Sequence, residues 1–194
     1  MIRAALKHRC AAPVSEKHNK ERIKSDRRNF WYDLKTSIER RGRASILIPR
    51  LIYRTFTVVW NRAKFVPGEL FIEFFPSSEV ELEVYLAILN SSVSEIMLRS
   101  HAQVYGGGTY NIEPGQIKKV PILNVELLTE KQKEKLKKAY HQYLEDQNHD
   151  RSRIDKVVYE ILNFNPTLQQ KLKDTLAELL VIATSSRKRT LTNP

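Results

Sequence analysis

Two stretches decide how this chain folds: Ser45-Ile46-Leu47-Ile48, and Tyr53-Arg54-Thr55-Phe56-Thr57-Val58-Val59-Trp60. Both are rich in β-branched and aromatic residues. Around the second, Ile52, Arg54, Phe56, Val58 and Trp60 alternate onto one face, so both stretches read as strands. A third strand is expected over Glu69–Phe75, after the turn signals Pro67 and Gly68. Ahead of it, Asn61-Arg62-Ala63-Lys64 reads as a hairpin or loop tip that projects its Arg and Lys outward.

After Pro76 the hydrophobic period changes from strand to helix. Ser77 or Ser78 is placed to cap a helix carrying Leu82, Tyr85, Leu86 and Leu89 that ends near Asn90. Ser92, with Glu95 three residues on, reads as a capping box for the next helix. His101 there has no second ligand at a suitable spacing and reads as structural or surface. The run Tyr105-Gly106-Gly107-Gly108-Thr109-Tyr110 follows. Three glycines permit positive φ and close backbone approach, for a sharp loop, a phosphate or a base edge, but neither familiar nucleotide-binding glycine pattern is present. The last third is helical. Thr129 and Gln132 form a capping box, Asp150 or Ser152 opens a second helix, and Asn165 caps a third with Pro166 at its first position. The expected fold is α+β, with a small mixed or antiparallel sheet over Ser45–Phe75 and around Tyr110–Ile122, flanking helices, and a C-terminal helical hairpin or bundle.

Composition narrows the function. The 194 residues are 41% hydrophobic and 28% charged, which fits one globular domain with or without a helical appendix. No apolar run approaches the roughly 20 residues of a membrane helix. Cys10 is the only cysteine, so no disulfide framework or thiolate metal site forms within the chain, and a reducing, cytoplasmic setting is expected. The net charge of +11 is unevenly spread: residues 1–66 hold 17 Lys and Arg against 5 Asp and Glu, while residues 67–194 hold 16 against 17. Such a one-sided excess is the footprint of a surface that meets phosphates. Lys17–Arg28 alone reads as a solvated linker, but Arg40, Arg41, Arg43, Arg50, Arg54, Arg62 and Lys64 lie within or beside β-patterned sequence. Met1–Pro13, basic and free of acids, fits a transit peptide, a fragment boundary or a linker. Phe30-Trp31-Tyr32 reads as an anchor onto the core, with base stacking as the other reading.

Five phrases, in order, carry a resemblance. They are Phe30-Trp31-Tyr32-Asp33-Leu34; Ile46-Leu47-Ile48-Pro49-Arg50; Tyr85-Leu86-Ala87-Ile88-Leu89-Asn90-Ser91; the glycine run with its Val120-Pro121-Ile122 exit; and Ile154-Asp155-Lys156-Val157-Val158-Tyr159-Glu160-Ile161-Leu162. Across about Phe30–Leu180 the chain resembles the C-terminal target-recognition region of TaqI-like adenine-specific DNA methyltransferases, and is similar to specificity subunits of type I restriction systems. The resemblance implies recognition of a short double-stranded DNA sequence for a catalytic domain or subunit that methylates an adenine amine with S-adenosylmethionine. That chemistry uses an Asn/Asp-Pro-Pro-aromatic tetrad to grip the flipped base. The tetrad is missing here: Asn163-Phe164-Asn165-Pro166-Thr167 lacks the second proline and the aromatic, and reads as a helix cap. The chain is therefore expected not to be catalytic alone, with no cofactor of its own. Nucleophile-elbow and zinc-protease motifs are also missing.

The implied organisation is a basic linker or fragment start over 1–29, a DNA target-recognition domain over 30–125, a helical region over 126–184 and a disordered tail over 185–194. The candidate DNA-binding residues are Arg50, Arg54, Arg62 and Lys64 from the strands and loop, and Tyr105, Gly107, Thr109, Tyr110, Lys118 and Lys119 around the glycine run. Arg54 could instead be structural, paired with Glu73. The rival reading is a protein-interaction module that docks through its C-terminal helices and carries a basic linker.

Overall fold

The computed structural model describes residues 43–78, 81–105 and 108–190, with side chains as far as Val181. Lys17–Arg28, the Phe30–Leu34 cluster, Arg40, Arg41 and Gly107 lie outside the described residues.

Strand β1 (Ile46–Pro49) sits at the centre of an antiparallel sheet with β3 (Val59–Trp60) on one side and β4 (Phe71–Phe74) on the other. Ile46, Leu47 and Ile48 are all buried, as expected of a strand covered on both faces. Because β3 and β4 flank β1 on opposite sides, residues 61–70 cross from one edge to the other and are not the tip of a hairpin. The polar turn that begins this crossing is organised by Asn61. Its amide donates to Ala44 O (3.0 Å) and Phe65 O (2.8 Å) and accepts from Phe65 N–H (2.9 Å).

A second antiparallel sheet has the order β2 (Leu51–Ile52), β6 (Thr109–Asn111), β5 (Gln103–Tyr105). β1 and β2 are one extended run broken at Arg50. The Arg50 N–H bonds Leu70 O beside the first sheet (2.9 Å), and its carbonyl accepts from Ile112 N–H beside the second (2.9 Å). One residue thus hands the chain from sheet to sheet.

The strand expected over 53–60 is only partly a strand, and its alternation holds over 56–59 but fails at Arg54, which was expected on the face of Phe56 and Val58 and is exposed. Phe56 and Val58 are buried while Arg54, Thr55, Thr57 and Val59 are exposed. Side chains, not a neighbouring strand, satisfy its backbone. Asn90 accepts from Val58 N–H (2.8 Å) and donates to Val58 O (3.1 Å), Arg99 donates to Tyr53 O (2.9 Å), and Arg151 donates to Phe56 O (3.2 Å). The strand expected around Tyr110–Ile122 ends at Asn111. Pro114 then opens a short helix, α3 (Pro114–Ile117), through a Glu113/Gln116 capping box.

Helix α1 (Leu82–Leu89) is buried on nearly every side. Its N-terminus carries no side-chain cap; Ser77 bonds the Tyr85 hydroxyl instead (2.8 Å). Helix α2 (Ser92–His101) is capped one residue earlier than expected, by Ser91, and Glu95 is a buried ion-pair partner and not a capping residue. After a 3-10 turn (Val125–Leu127), α4 (Glu130–Glu145) starts on the expected Thr129/Gln132 box and buries Leu136, Ala139, Tyr140 and Tyr143 along one face. Helix α5 (Ser152–Ile161) ends in a Schellman motif. Asn163, at φ 52°, is its left-handed residue, Phe164 N–H bonds Tyr159 O (3.0 Å), and the Tyr159 and Phe164 rings stack at 6.0 Å. Asn165 then caps α6 (Pro166–Thr190), as its sequence indicated, while Asn163 in the same string also ends α5, a use the sequence did not show. Helix α6 continues to Thr190, past the point where a frayed tail was expected.

The core runs without a break from Ile46 through α1 and the 112–128 segment to Leu136, Tyr140 and Val158, so sheet and helices share one interior. Asp155 fastens α5 to α2 within it. Its carboxylate accepts from Ser92 N–H (2.7 Å) and the Ser92 hydroxyl (2.6 Å). Two of the five phrases singled out in the sequence hold the fold together: Asp155 of one ties α5 to α2, while Asn90 and Ser91 of another hold the Val58 backbone and cap α2. No helix among the described residues is long and apolar enough to cross a membrane.

Candidate nucleic-acid interface

The hinge at Arg50 organises the first part of the site. Its Nη2 donates to Glu113 Oε2 (2.6 Å) and its Nη1 to Glu69 O (3.2 Å). Asn111 Nδ2 donates to the other Glu113 oxygen (2.6 Å) and to the Tyr105 hydroxyl (3.1 Å). Arg50, Glu113, Asn111 and Tyr105 thus form one chain of polar contacts across the second sheet. The Asn111 amide first, and then the Arg50 guanidinium, hold the Glu113 carboxyl below the usual carboxylate range. The Arg50 side chain keeps only 25% of its surface in contact with solvent, so the pairing aims its fork and does not leave it free.

Next to this chain, β5 and β6 form a hairpin in which Tyr105 pairs with Thr109 and Val104 with Tyr110. Tyr105 is half exposed and Thr109 partly so. Gly108 sits at φ 74°, a left-handed turn position that a Cβ would strain. Tyr110 corrects the expectation that both tyrosines present themselves. Strand period two turns it inward, it is 4% exposed, and the Arg99 guanidinium lies over its ring at 4.9 Å. It supports the hairpin from below.

Arg99 belongs to a buried ionic cluster. Glu95 accepts two hydrogen bonds from it (2.8 and 2.6 Å) and a third from Arg151. With the bonds from Arg99 to Tyr53 O and from Arg151 to Phe56 O, this cluster braces the extended 53–58 segment that carries Arg54. Arg54 itself is exposed, with its guanidinium over the Tyr53 ring at 5.6 Å. Lys118 and Lys119 are exposed just beyond α3.

Arg62 and Lys64 sit on the other sheet, beyond β3. Arg62 is exposed and lies over Trp60 at 4.1 Å, lining a cleft of about 380 Å³ with Tyr140, Tyr143 and His149. Lys64 differs from the outward-pointing residue expected. It is half-buried, holds φ 53°, and its Nζ bonds the Ser45 hydroxyl. Its ammonium secures the turn against β1.

The structure therefore gathers Arg50, Tyr105, Thr109 and, from beneath, Tyr110 around one sheet, and leaves Arg62 and Lys64 on another. Sequence reasoning missed Asn111 and Glu113. The readable signal was Glu113 directly before Pro114 with Gln116 three residues on, a helix-start pattern that marks Glu113 as positioned.

A family model described as the C-terminal domain of the type II methyltransferase M.Eco57I matches residues 7–159. The match runs through both sheets and through nearly all of α5, and ends before α6. No curated protein matches the chain, and no solved structure does.

Proposed function

The chain belongs to the family of C-terminal domains of type II methyltransferases typified by M.Eco57I, and from that premise we propose that it recognises a short double-stranded DNA sequence for an adenine-specific methyltransferase of a restriction-modification system. The catalytic domain or subunit is its partner and carries the transfer chemistry. The flipped adenine is assigned to that partner, because the 194 residues contain no Asn/Asp-Pro-Pro-aromatic tetrad to hold it, and S-adenosylmethionine is assigned there with it. The cytoplasm is the matching compartment.

The observation that supports recognition most directly is the braced β5–β6 hairpin. Tyr105 and Thr109 offer hydroxyls beside a turn that holds Gly108 in the left-handed region, while Arg50 and Asn111 tie that turn to the sheet hinge. Base edges are read by hydroxyl, amide and guanidinium groups held in register, with phosphate contacts from cations beside them. Arg54, Lys118 and Lys119 are such cations.

Selection of duplexes from a random pool by the isolated chain tests this reading. Enrichment of one short sequence is expected, with affinity that falls steeply as salt rises. Replacing Tyr105 and Thr109 by Phe and Val should narrow the gap between cognate and random duplexes, each lost contact being worth about 1–3 kcal/mol. A chain that enriches no sequence and ignores salt is a protein-docking module instead.

A further inference from the structure

On the second sheet a set of hydrogen bonds runs in one direction. Arg50 Nη2 donates to Glu113 Oε2 (2.6 Å), and Asn111 Nδ2 donates both to Glu113 Oε1 (2.6 Å) and to the Tyr105 hydroxyl (3.1 Å). The chemistry of Glu113 decides which way the Asn111 amide is turned. The bonds from Asn111 and Arg50 keep the Glu113 carboxyl ionised at neutral pH, and an ionised carboxylate only accepts. An amide oxygen against it at the same distance would set two acceptors in contact, so the nitrogen faces Glu113. Asn111 is 5% exposed, and solvent does not relieve the reversed orientation.

The same nitrogen faces Tyr105. An amide nitrogen carries two hydrogens and accepts nothing, so one hydrogen goes to Glu113, the other goes to Tyr105, and the hydroxyl oxygen is the acceptor. The hydroxyl's own hydrogen is therefore turned away from Asn111, and no group among the described residues engages it. Tyr105 is 50% exposed on the edge strand of its sheet, where Asn111 beneath it is buried with both amide hydrogens spent.

Given DNA recognition by this hairpin, on which the inference rests, we propose that the Tyr105 hydroxyl meets DNA as a hydrogen-bond donor, that the base edge it reads carries an acceptor, and that Asn111 and Glu113 are the positioning residues that set this polarity. In the major groove the acceptors are purine N7, guanine O6 and thymine O4, while the amino groups of adenine and cytosine present donors and are disfavoured. A tyrosine without such a clamp turns its hydroxyl to either kind of edge. Glu113→Gln reverses the clamp. The new amide keeps its oxygen toward Arg50, which only donates, and so brings its nitrogen to Asn111. Asn111 then turns its own oxygen to that nitrogen, and the same oxygen now faces Tyr105. The hydroxyl donates inward and shows lone pairs outward.

Wild type, Tyr105→Phe and Glu113→Gln are each used to select duplexes from a random pool, with melting temperatures to show that they fold. Analogues that lack one acceptor (7-deazapurines, 2-aminopurine for guanine, a 2-pyrimidinone for thymine) are then placed one position at a time in the duplex that wild type enriches. At one position an analogue should weaken wild type about 5- to 100-fold and Tyr105→Phe less than about 2-fold. Glu113→Gln should lose the same penalty and bind tighter there when an amino group takes the place of the acceptor, a change of preference that a merely structural role would not produce. If Glu113→Gln does not fold, the Tyr105→Phe comparison decides alone. A penalty that persists in Tyr105→Phe, or a folded Glu113→Gln that keeps the wild-type preference, overturns the assigned polarity and leaves DNA recognition standing. A penalty found only when a methylphosphonate replaces a phosphate puts the hydroxyl on the backbone and overturns the base-edge role. A wild type that enriches no sequence overturns the recognition reading itself, and the donor role falls with it.

Discussion

Asp155→Ala should destabilise the fold by about 2–3 kcal/mol. The wild-type carboxylate makes hydrogen bonds of 2.7 and 2.6 Å to the backbone N–H and hydroxyl of Ser92, which is 6% exposed at the first turn of α2. A bond to a charged group contributes about 1.5–3 kcal/mol, and a buried N–H left without a partner costs about 1–3 kcal/mol. The Ser92 hydroxyl can turn to another acceptor, and the desolvation cost of the wild-type carboxylate disappears with it, so the sum falls well below two full bonds. For a chain of this size each kcal/mol moves the melting temperature by about 2–4 °C, giving a fall of about 4–12 °C. Asp155→Asn should lose less than about 1 kcal/mol, because the amide oxygen still accepts from the N–H while its nitrogen donates to the hydroxyl. Acidity separates charge from shape. Burial, working against the Ser92 bonds, pushes the Asp155 carboxyl above its ordinary value. The folded state then takes up its proton before the unfolded one. Wild type therefore gains stability over Asp155→Asn as pH falls through the window between the raised value and the ordinary 3.8, and loses that gain as pH rises back through it. Thermal melts of the three proteins from pH 7 to pH 4 measure all of this. An Ala variant within about 2 °C of wild type, or an Asn variant as damaged as Ala, would refute the reasoning.

Arg62→Ala should lower the salt slope of duplex binding by about one unit and leave the melting temperature unchanged, since the side chain is exposed over Trp60; an unchanged slope removes Arg62 from the DNA. Lys64→Ala should instead act mainly on stability, through the lost bond to Ser45, and urea titration separates the two. Arg99→Met should cost about 3–5 kcal/mol by breaking a buried pair in which Glu95 keeps only Arg151, and a loss under about 1 kcal/mol in denaturant melts would contradict that account. Glu113→Gln should be less stable than wild type at neutral pH, with the difference vanishing as pH falls through the depressed Glu113 value, because the folded carboxylate resists protonation longer than the unfolded one; melts at pH 7 and pH 3 check the sign. Calorimetric titration of the chain with S-adenosylmethionine should release no binding heat, and micromolar binding would move the methyl donor's pocket onto this chain.

Local signals in the sequence specified much of the framework. The change from alternating to helical period near Pro76, the Thr129/Gln132 box and the Asn165-Pro166 start all depend on residues three or four apart, where backbone geometry alone decides which atoms meet. The concentration of positive charge in the first third and the order of the five phrases were equally legible, and they led to the methyltransferase family. Only the tertiary structure decided what that framework does with its polar side chains. Asp155 and Ser92 meet across 63 residues, as do Arg50 and Glu113, and Arg151 reaches Phe56 across 95. No periodicity encodes such pairings, because they arise when two packed elements bring distant groups to the same place. The inward turn of Tyr110 and the tether on Lys64 follow from the same cause. In a strand a shift of one residue exchanges the buried face for the exposed one, and the pairing of β6 with β2 and β5 sets that register.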